Sequence, residues 1–218
     1  QEFIEKKKDG IPLDYILNST KFYENDFYVD SRVLIPRPET EILVDYINNN
    51  FCSSLKVLDA GTGSGCIGIS LALKNSNFDV YGSDYSEDSL SVASINKNTL
   101  SAKNFSLVHA NWLSCFKKNS FDLIVTNPPY IADQDPYLED LKHEPNKALV
   151  ATDKGLGDIK LIVKQSTKAL KRGGMLILEH GYQQQEEVKN ILKGNHFSDI
   201  TNLKDFQALP RITLGTLE

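Results

Sequence analysis

Cysteine is scarce: Cys52, Cys66 and Cys115 are odd in number, widely spaced and form no C-x-x-C pair. That excludes a disulfide scaffold and a zinc-ribbon or thioredoxin-type centre, and reads as free thiols in a reducing, cytoplasmic compartment. No apolar run reaches the roughly 18 residues that span a bilayer, and Gln1 to Gly10 is polar and Lys-rich without a signal-peptide core, so no membrane association is expected. Basic residues are in deficit, 24 Lys and Arg against 29 Asp and Glu for a net charge of −5, which argues against affinity built on neutralising many phosphates. The histidines, His109, His143, His180 and His196, lack metal-ligand spacing, and no metal site is expected. There is no Gly-Lys-Ser/Thr phosphate loop, and no Gly-x-Ser-x-Gly elbow because Thr62 precedes Gly63-Ser64. What is present is ordinary: 218 residues, 40% hydrophobic and 24% charged, enough for one large domain that buries roughly 70% of its unfolded surface without staples.

From Gly10 to about Pro38, aromatic and β-branched residues are broken by Glu24-Asn25-Asp26, which predicts a β-hairpin, with Lys6-Lys7-Lys8 before it as a solvated linker. Pro36 and Pro38 delay the first helix to Glu39–Asn50, where Ile42, Leu43, Tyr46 and Ile47 make an apolar stripe. Beyond it, apolar strand candidates at Lys56–Ala60, Asp79–Ser83, Phe105–Ala110, Phe121–Thr126 and Met175–Glu179 alternate with helical stretches near Cys66–Lys74, Ser86–Leu100 and Gly157–Arg172. The last of these carries a core stripe read as Leu161, Ile162, Gln165 and Ala169. A helix at Glu186–Lys193 and strands at Phe197–Leu203 and Arg211–Leu217 close the chain, and Asp133–Lys154 reads as a long loop. The expected fold is α/β: a Rossmann-like, doubly wound sheet of seven strands, mostly parallel with an antiparallel C-terminal strand, preceded by a β-hairpin. The division expected is a linker and hairpin segment over 1–38 and the main domain over 39–218.

The strand Lys56–Leu58 runs into Asp59-Ala60-Gly61-Thr62-Gly63-Ser64-Gly65 and then an apolar helix. Alternate glycines let the backbone turn sharply and approach a ligand, and the helix N-terminus beyond them offers free N–H groups. About 20 residues on, the next strand ends at Asp84, where a carboxylate can accept from ribose hydroxyls. Together these propose an adenosine cofactor. Gly63-Ser64-Gly65-Cys66-Ile67-Gly68 also satisfies the dinucleotide pattern. Asp59 favours S-adenosylmethionine, whose amino-acid end and sulfonium are cationic.

The most specific motif is Asn127-Pro128-Pro129-Tyr130, directly after the strand that ends at Thr126. Two prolines cannot donate N–H groups, so the turn offers carbonyl oxygens in a rigid geometry, to which Asn127 adds its side-chain carbonyl. Such a site accepts both hydrogens of a planar NH₂, at Asn127 Oδ1 and the Pro128 carbonyl, and can hold the nitrogen with its lone pair aimed at a methyl group. Positioning and electrostatics then do the catalysis without a strong base. Tyr130 supplies a flat wall for a planar substrate.

With both motifs in hand, the chain resembles the S-adenosylmethionine-dependent release factor glutamine methyltransferase family. The resemblance also rests on Pro12–Leu17, on Val33-Leu34-Ile35-Pro36-Arg37-Pro38-Glu39-Thr40-Glu41, on Glu179-His180-Gly181-Tyr182-Gln183, and on Asp205-Phe206 with Arg211–Gly215. It implies methyl transfer from S-adenosyl-L-methionine, leaving S-adenosyl-L-homocysteine, to the side-chain amide of the Gln in the Gly-Gly-Gln motif of a peptide chain release factor. It further implies that Gly61 to Gly65 wrap the methionine part of the cofactor, that Asp84 holds the ribose and Trp112 lies near the adenine, that Asn127 through Tyr130 take the Gln, and that Arg37 and Glu39 close one wall. Asn111 stands where the family usually has Asp, although its carbonyl can still accept from the adenine amino group, and Gln185 stands where Gly is common. The helical N-terminal domain that family members carry is not in this sequence and is expected to be missing from it. A monomer with a protein substrate and no direct nucleic acid target is expected. A nucleic acid amino-methyltransferase, a non-catalytic cofactor-binding scaffold and an NAD-dependent dehydrogenase are the competing readings.

Overall fold

In a computed structural model, residues 2–218 are described. Two short helices, α1 (Glu2–Lys8) and α2 (Leu13–Leu17), precede a hairpin of β1 (Thr20–Phe22) and β2 (Asn25–Phe27). A 3₁₀ turn at Pro38–Thr40 leads into α3 (Glu41–Asn50), followed by β3 (Lys56–Ala60), α4 (Cys66–Lys74), β4 (Asp79–Asp84), α5 (Glu87–Thr99), β5 (Phe105–His109) and β6 (Phe121–Thr126). A single turn, α6 (Thr152–Gly155), introduces α7 (Gly157–Ala169), β7 (Leu170–Glu179), α8 (Gln185–Lys193), β8 (Phe197–Lys204) and β9 (Pro210–Leu217).

The main sheet has seven strands in the order β5-β4-β3-β6-β7-β9-β8. Strands β3 to β7 pair in parallel, and β9 runs antiparallel between β7 and β8. The chain leaves β3 towards β4 on one side and returns to β6 on the other. The crevice beyond the carboxyl ends of β3 and β6 is therefore the switch point where ligands bind in such sheets. The period of two along the strands sorts the core into two faces. Val57, Leu123 and Val125 pack with Leu43, Ile47, Ile69 and Phe105. Leu58, Ile124 and Leu176 pack with Ile159, Ile162, Val163 and Val188. The stripe of α7 is Ile159, Ile162, Val163, Ser166 and Ala169. Leu161 is exposed and Gln165 instead accepts the Leu113 N–H at 2.7 Å, so only part of the expected stripe is core.

The N-terminal segment departs from the expected linker and hairpin. The lysines 6–8 form the last turn of α1, where positive charge suits the helix dipole, and Pro12 starts a second helix. The hairpin is confined to residues 20–27. It is no loose appendage: Phe22 and Phe27 are fully buried in the main core, and Tyr15, Val29, Val33 and Ile35 pack on Val92 of α5. Asn96 of α5 stitches the segment in place, donating to the Tyr28 and Ser64 carbonyls and accepting the Tyr28 N–H. The residues after it are thus delivered to the rim of the switch point.

Candidate active site

The loop after β3 is left-handed at Gly61, Gly63 and Gly65, with φ of 75°, 55° and 84°. A Cβ on Gly61 would sit 2.6 Å from the Trp112 ring, so the indole lies directly on this part of the loop. The loop is held from below. The Gly61 and Thr62 N–H groups donate to the Ser83 carbonyl at 2.8 and 2.9 Å, and Gly63 N–H donates to Asp84 Oδ2 at 2.9 Å.

Asp59 is fully buried beneath the loop. Its Oδ2 accepts from Thr62 Oγ1 at 2.6 Å and from Gly68 N–H at 3.0 Å, while its Oδ1 has no partner among the described residues. Burial pushes its carboxyl up to about 6. Asp59 does not line the open cleft; it ties the glycine loop to the first turn of α4 and keeps one acceptor unused.

The cleft above the loop measures about 610 Å³, within the range of cofactor sites. Gly61 to Ser64, Asp84, Asn111 and Trp112 all face it. Asp84 has two backbone donors, Gly63 N–H and Ser86 N–H at 2.9 and 2.8 Å, and a carboxylate has about four lone-pair sites. Burial, the largest influence, raises its carboxyl above the usual range. Asp158, in the first turn of α7, also lines the cleft, as Trp112 does, and burial raises its carboxyl above the usual range. Sequence reasoning passed over Asp158 because one acidic residue opening a helix is common.

At the end of β6, Thr126 Oγ1 donates to the Ala60 carbonyl at 2.6 Å, which fastens the Asn-Pro-Pro-Tyr turn to the glycine loop. Asn127 lines both the first cleft and a second one of about 650 Å³, whose walls include Pro128, Tyr130, Arg37, Glu39 and Arg211. It therefore stands where the two meet. Pro129 faces the first cleft. Asn127 Nδ2 donates to Thr40 Oγ1 at 3.1 Å, and Thr40 Oγ1 donates to Glu179 Oε2 at 2.7 Å. Tyr130 donates its hydroxyl proton to Glu179 Oε1 at 3.2 Å. Burial pushes the Glu179 carboxyl up to about 7, opposed by the hydrogen bonds from Thr40 and Tyr130. Thr40 and Glu179 stood in quoted motifs, but nothing in their spacing joins residues 139 positions apart.

The two expected wall residues divide. Glu39 faces the second cleft. Arg37 lines it too, but its guanidinium is paired at 2.5 Å with Glu144 of the long loop, which also accepts the Ile35 N–H at 3.0 Å. Segment 133–154 is thus clamped to the Ile-Pro-Arg-Pro run, and both Leu34 and Ala148 line both clefts. Arg211, paired with Asp205 at 2.8 Å, reaches the same cleft beside the Tyr182 ring. No group of three or more metal-ligating side chains is found among the described residues, and no described helix is long and apolar enough to cross a membrane.

This geometry is that of a methyltransferase. Residues 52–208 match the family model of a methyltransferase domain. The fold is shared with a methyltransferase from Pyrococcus furiosus, with a TM-score of 0.70 at 15% identity over 97% of this chain and 98% of that one. A ribosomal protein L11 methylase from Lactobacillus delbrueckii gives 0.65 at 19% identity, over 87% and 84%. More narrowly, the chain is 36% identical over 215 residues to the release factor glutamine methyltransferase of Coxiella burnetii, covering 98% of this chain and 78% of that protein. With the Escherichia coli protein of the same name it shares 38% over 217 residues, 97% of this chain and 78% of the relative. The chain belongs to the release factor glutamine methyltransferase family.

Proposed function

We propose that the protein transfers a methyl group from S-adenosylmethionine to the side-chain amide nitrogen of the Gln in the Gly-Gly-Gln motif of a peptide chain release factor. The observation that carries this reading is Asn127 at the junction of two clefts, with Nδ2 engaged by Thr40 and Oδ1 left to accept.

The first cleft suits the cofactor by its own chemistry. The left-handed Gly63 has nothing within 4 Å of where a Cβ would be, so its surface is open to a ligand. Asp84 retains acceptor capacity for ribose hydroxyls, Asn111 offers a carbonyl for an adenine amino group, and Trp112 gives an apolar face that lies against Gly61. Asp59 contributes negative charge from below the loop. When bound, S-adenosylmethionine supplies an electrophilic methyl carried on a cationic sulfur.

This chain's residues supply position and polarity. An amide nitrogen is a weak nucleophile because its lone pair is delocalised. Asn127 Oδ1 and the Pro128 carbonyl accept its two hydrogens, and those bonds strengthen as the nitrogen becomes positive, which is differential stabilisation of the transition state. Tyr130 packs against the planar amide. The second cleft mixes acidic Glu39 and Asp135 with basic Arg37, Lys154 and Arg211, a lining suited to a polypeptide loop rather than to a run of phosphates. We take the enzyme to act as a cytoplasmic monomer, with residues 1–38 as an entry segment and 39–218 as the catalytic domain.

Incubation with labelled S-adenosylmethionine and release factor tests the assignment. Label on the Gly-Gly-Gln tryptic peptide is the expected result; label in nucleic acid and none in the release factor would overturn it.

A further inference from the structure

We propose that Thr40 and Glu179 are positioning residues that set which end of the Asn127 amide faces the substrate. The inference rests on the methyl-transfer reading and extends it to groups buried behind the site.

With Glu179 ionised, the one hydroxyl proton of Thr40 is given to Glu179 Oε2 at 2.7 Å. Towards Asn127 its oxygen can then only accept. The side-chain end of Asn127 that lies 3.1 Å away must be the NH₂, and Oδ1 must face the junction of the clefts. Turning the amide over would set two lone-pair oxygens against each other while presenting donors where an NH₂ substrate needs acceptors. Without the Thr40–Glu179 pair the two orientations of a primary amide are close in energy, and the site would be correctly set only part of the time.

Three distant stretches of chain are needed to build this relay: the start of α3, the end of β7 and the turn after β6. Thr40 and Glu179 are both almost fully buried. A buried carboxylate is costly unless well hydrogen-bonded. Glu179 meets that condition by accepting from Thr40 on one oxygen and from Tyr130 on the other, so one carboxylate orients both the amide and the aromatic wall. A hydrogen-bond chain that ends in a carboxylate also polarises its members, which pushes electron density towards Asn127 Oδ1.

The test compares Thr40→Val, Thr40→Ser and Glu179→Gln in steady-state methylation of a release factor, alongside S-adenosylhomocysteine titration and the side-chain NH₂ NMR signals of Asn127. Thr40→Val preserves shape and removes the acceptor; kcat should fall roughly 10- to 100-fold, the scale of a small mispositioning, while S-adenosylhomocysteine affinity stays within about twofold. Thr40→Ser keeps both the hydroxyl proton and the acceptor and should remain within about threefold of wild type, whereas Glu179→Gln sets an NH₂ donor against one of the two hydroxyls from which the carboxylate accepts and should share the loss of Thr40→Val. The Asn127 NH₂ protons should be slow to exchange in the wild type and fast in Thr40→Val. The relay is overturned by a Thr40→Val enzyme with wild-type kcat, by a loss that Thr40→Ser shares, by an equal loss of S-adenosylhomocysteine affinity, or by unchanged Asn127 NH₂ exchange. A wild-type protein that labels no release factor counts against the functional reading alone, since the NMR comparison still decides the relay.

Discussion

Asp84 accepts the Gly63 N–H through Oδ2 at 2.9 Å, so the carboxylate that ends β4 and the loop that follows β3 form one unit. Whatever weakens Asp84 both removes an acceptor from the first cleft and loosens the loop. Asp84→Ala should lower S-adenosylhomocysteine affinity about 10- to 100-fold, the worth of one or two hydrogen bonds to a charged group. Calorimetric titration reads this directly. Affinity within twofold of wild type would remove Asp84 from the binding set.

Asn127 should behave in the opposite way. In the proposed reaction its Oδ1 accepts from the substrate amide, so Asn127→Ala should reduce kcat by about 10²- to 10³-fold, as loss of one preorganised transition-state contact does. S-adenosylhomocysteine binding should change by less than about threefold. Single-turnover methylation separates the two effects, and a parallel loss of both would mean that Asn127 shapes the first cleft instead.

Glu144 joins the long loop to the segment before α3 through the Ile35 N–H and the Arg37 guanidinium. Its carboxylate is buried while the arginine is partly exposed, so the pair is worth less than a fully buried one. Glu144→Ala leaves a buried N–H without its acceptor and should cost about 2–3 kcal/mol in urea unfolding. It should also raise KM for the release factor, because residues on both sides of the clamp line the second cleft. A destabilised variant with unchanged KM would make the clamp a stability device only.

Much of this was legible in the chain. The period-two strands and the Gly-rich turn place the switch point, and Cys66–Lys74 is helical over the span its apolar run predicts. The ambiguity with the dinucleotide pattern also has a physical source. Gly68 is needed for close packing, since a Cβ there would lie 2.5 Å from the Phe105 ring and 3.0 Å from Asp59 Oδ2. Helix-to-strand packing of that kind is common to both cofactor types. Helices α1 and α2 were less legible because Phe3, Ile4, Leu13 and Leu17 are exposed, and an apolar pattern predicts a helix best when it is buried. The Thr40–Glu179 contact could not be read at all, because a register between distant strands and turns leaves no local periodicity.

The buried carboxylates give a pH dependence whose sign can be worked out. Glu179 titrates at about 7 in the folded protein against 4.5 for an unperturbed glutamate, with burial the largest cause. Between those values the folded state holds the proton more tightly than the unfolded chain, so stability falls as pH rises, and the loss is complete above about 7. Asp59 acts in the same sense between 3.8 and about 6. His180 acts the other way: burial lowers its pKa from 6.5, so its contribution is present above 6.5 and lost as pH falls below it. Absolute stability mixes these, and the difference between wild type and Glu179→Gln isolates one of them. Glu39 and Arg211 lie in the field of the carboxylate and are common to both proteins. The Gln variant should gain on wild type steadily from pH 4.5 to about 7 and by a constant amount beyond. Urea unfolding of both proteins across that range reads the difference, and a flat difference would show that the Glu179 carboxyl titrates alike in the folded and unfolded chains.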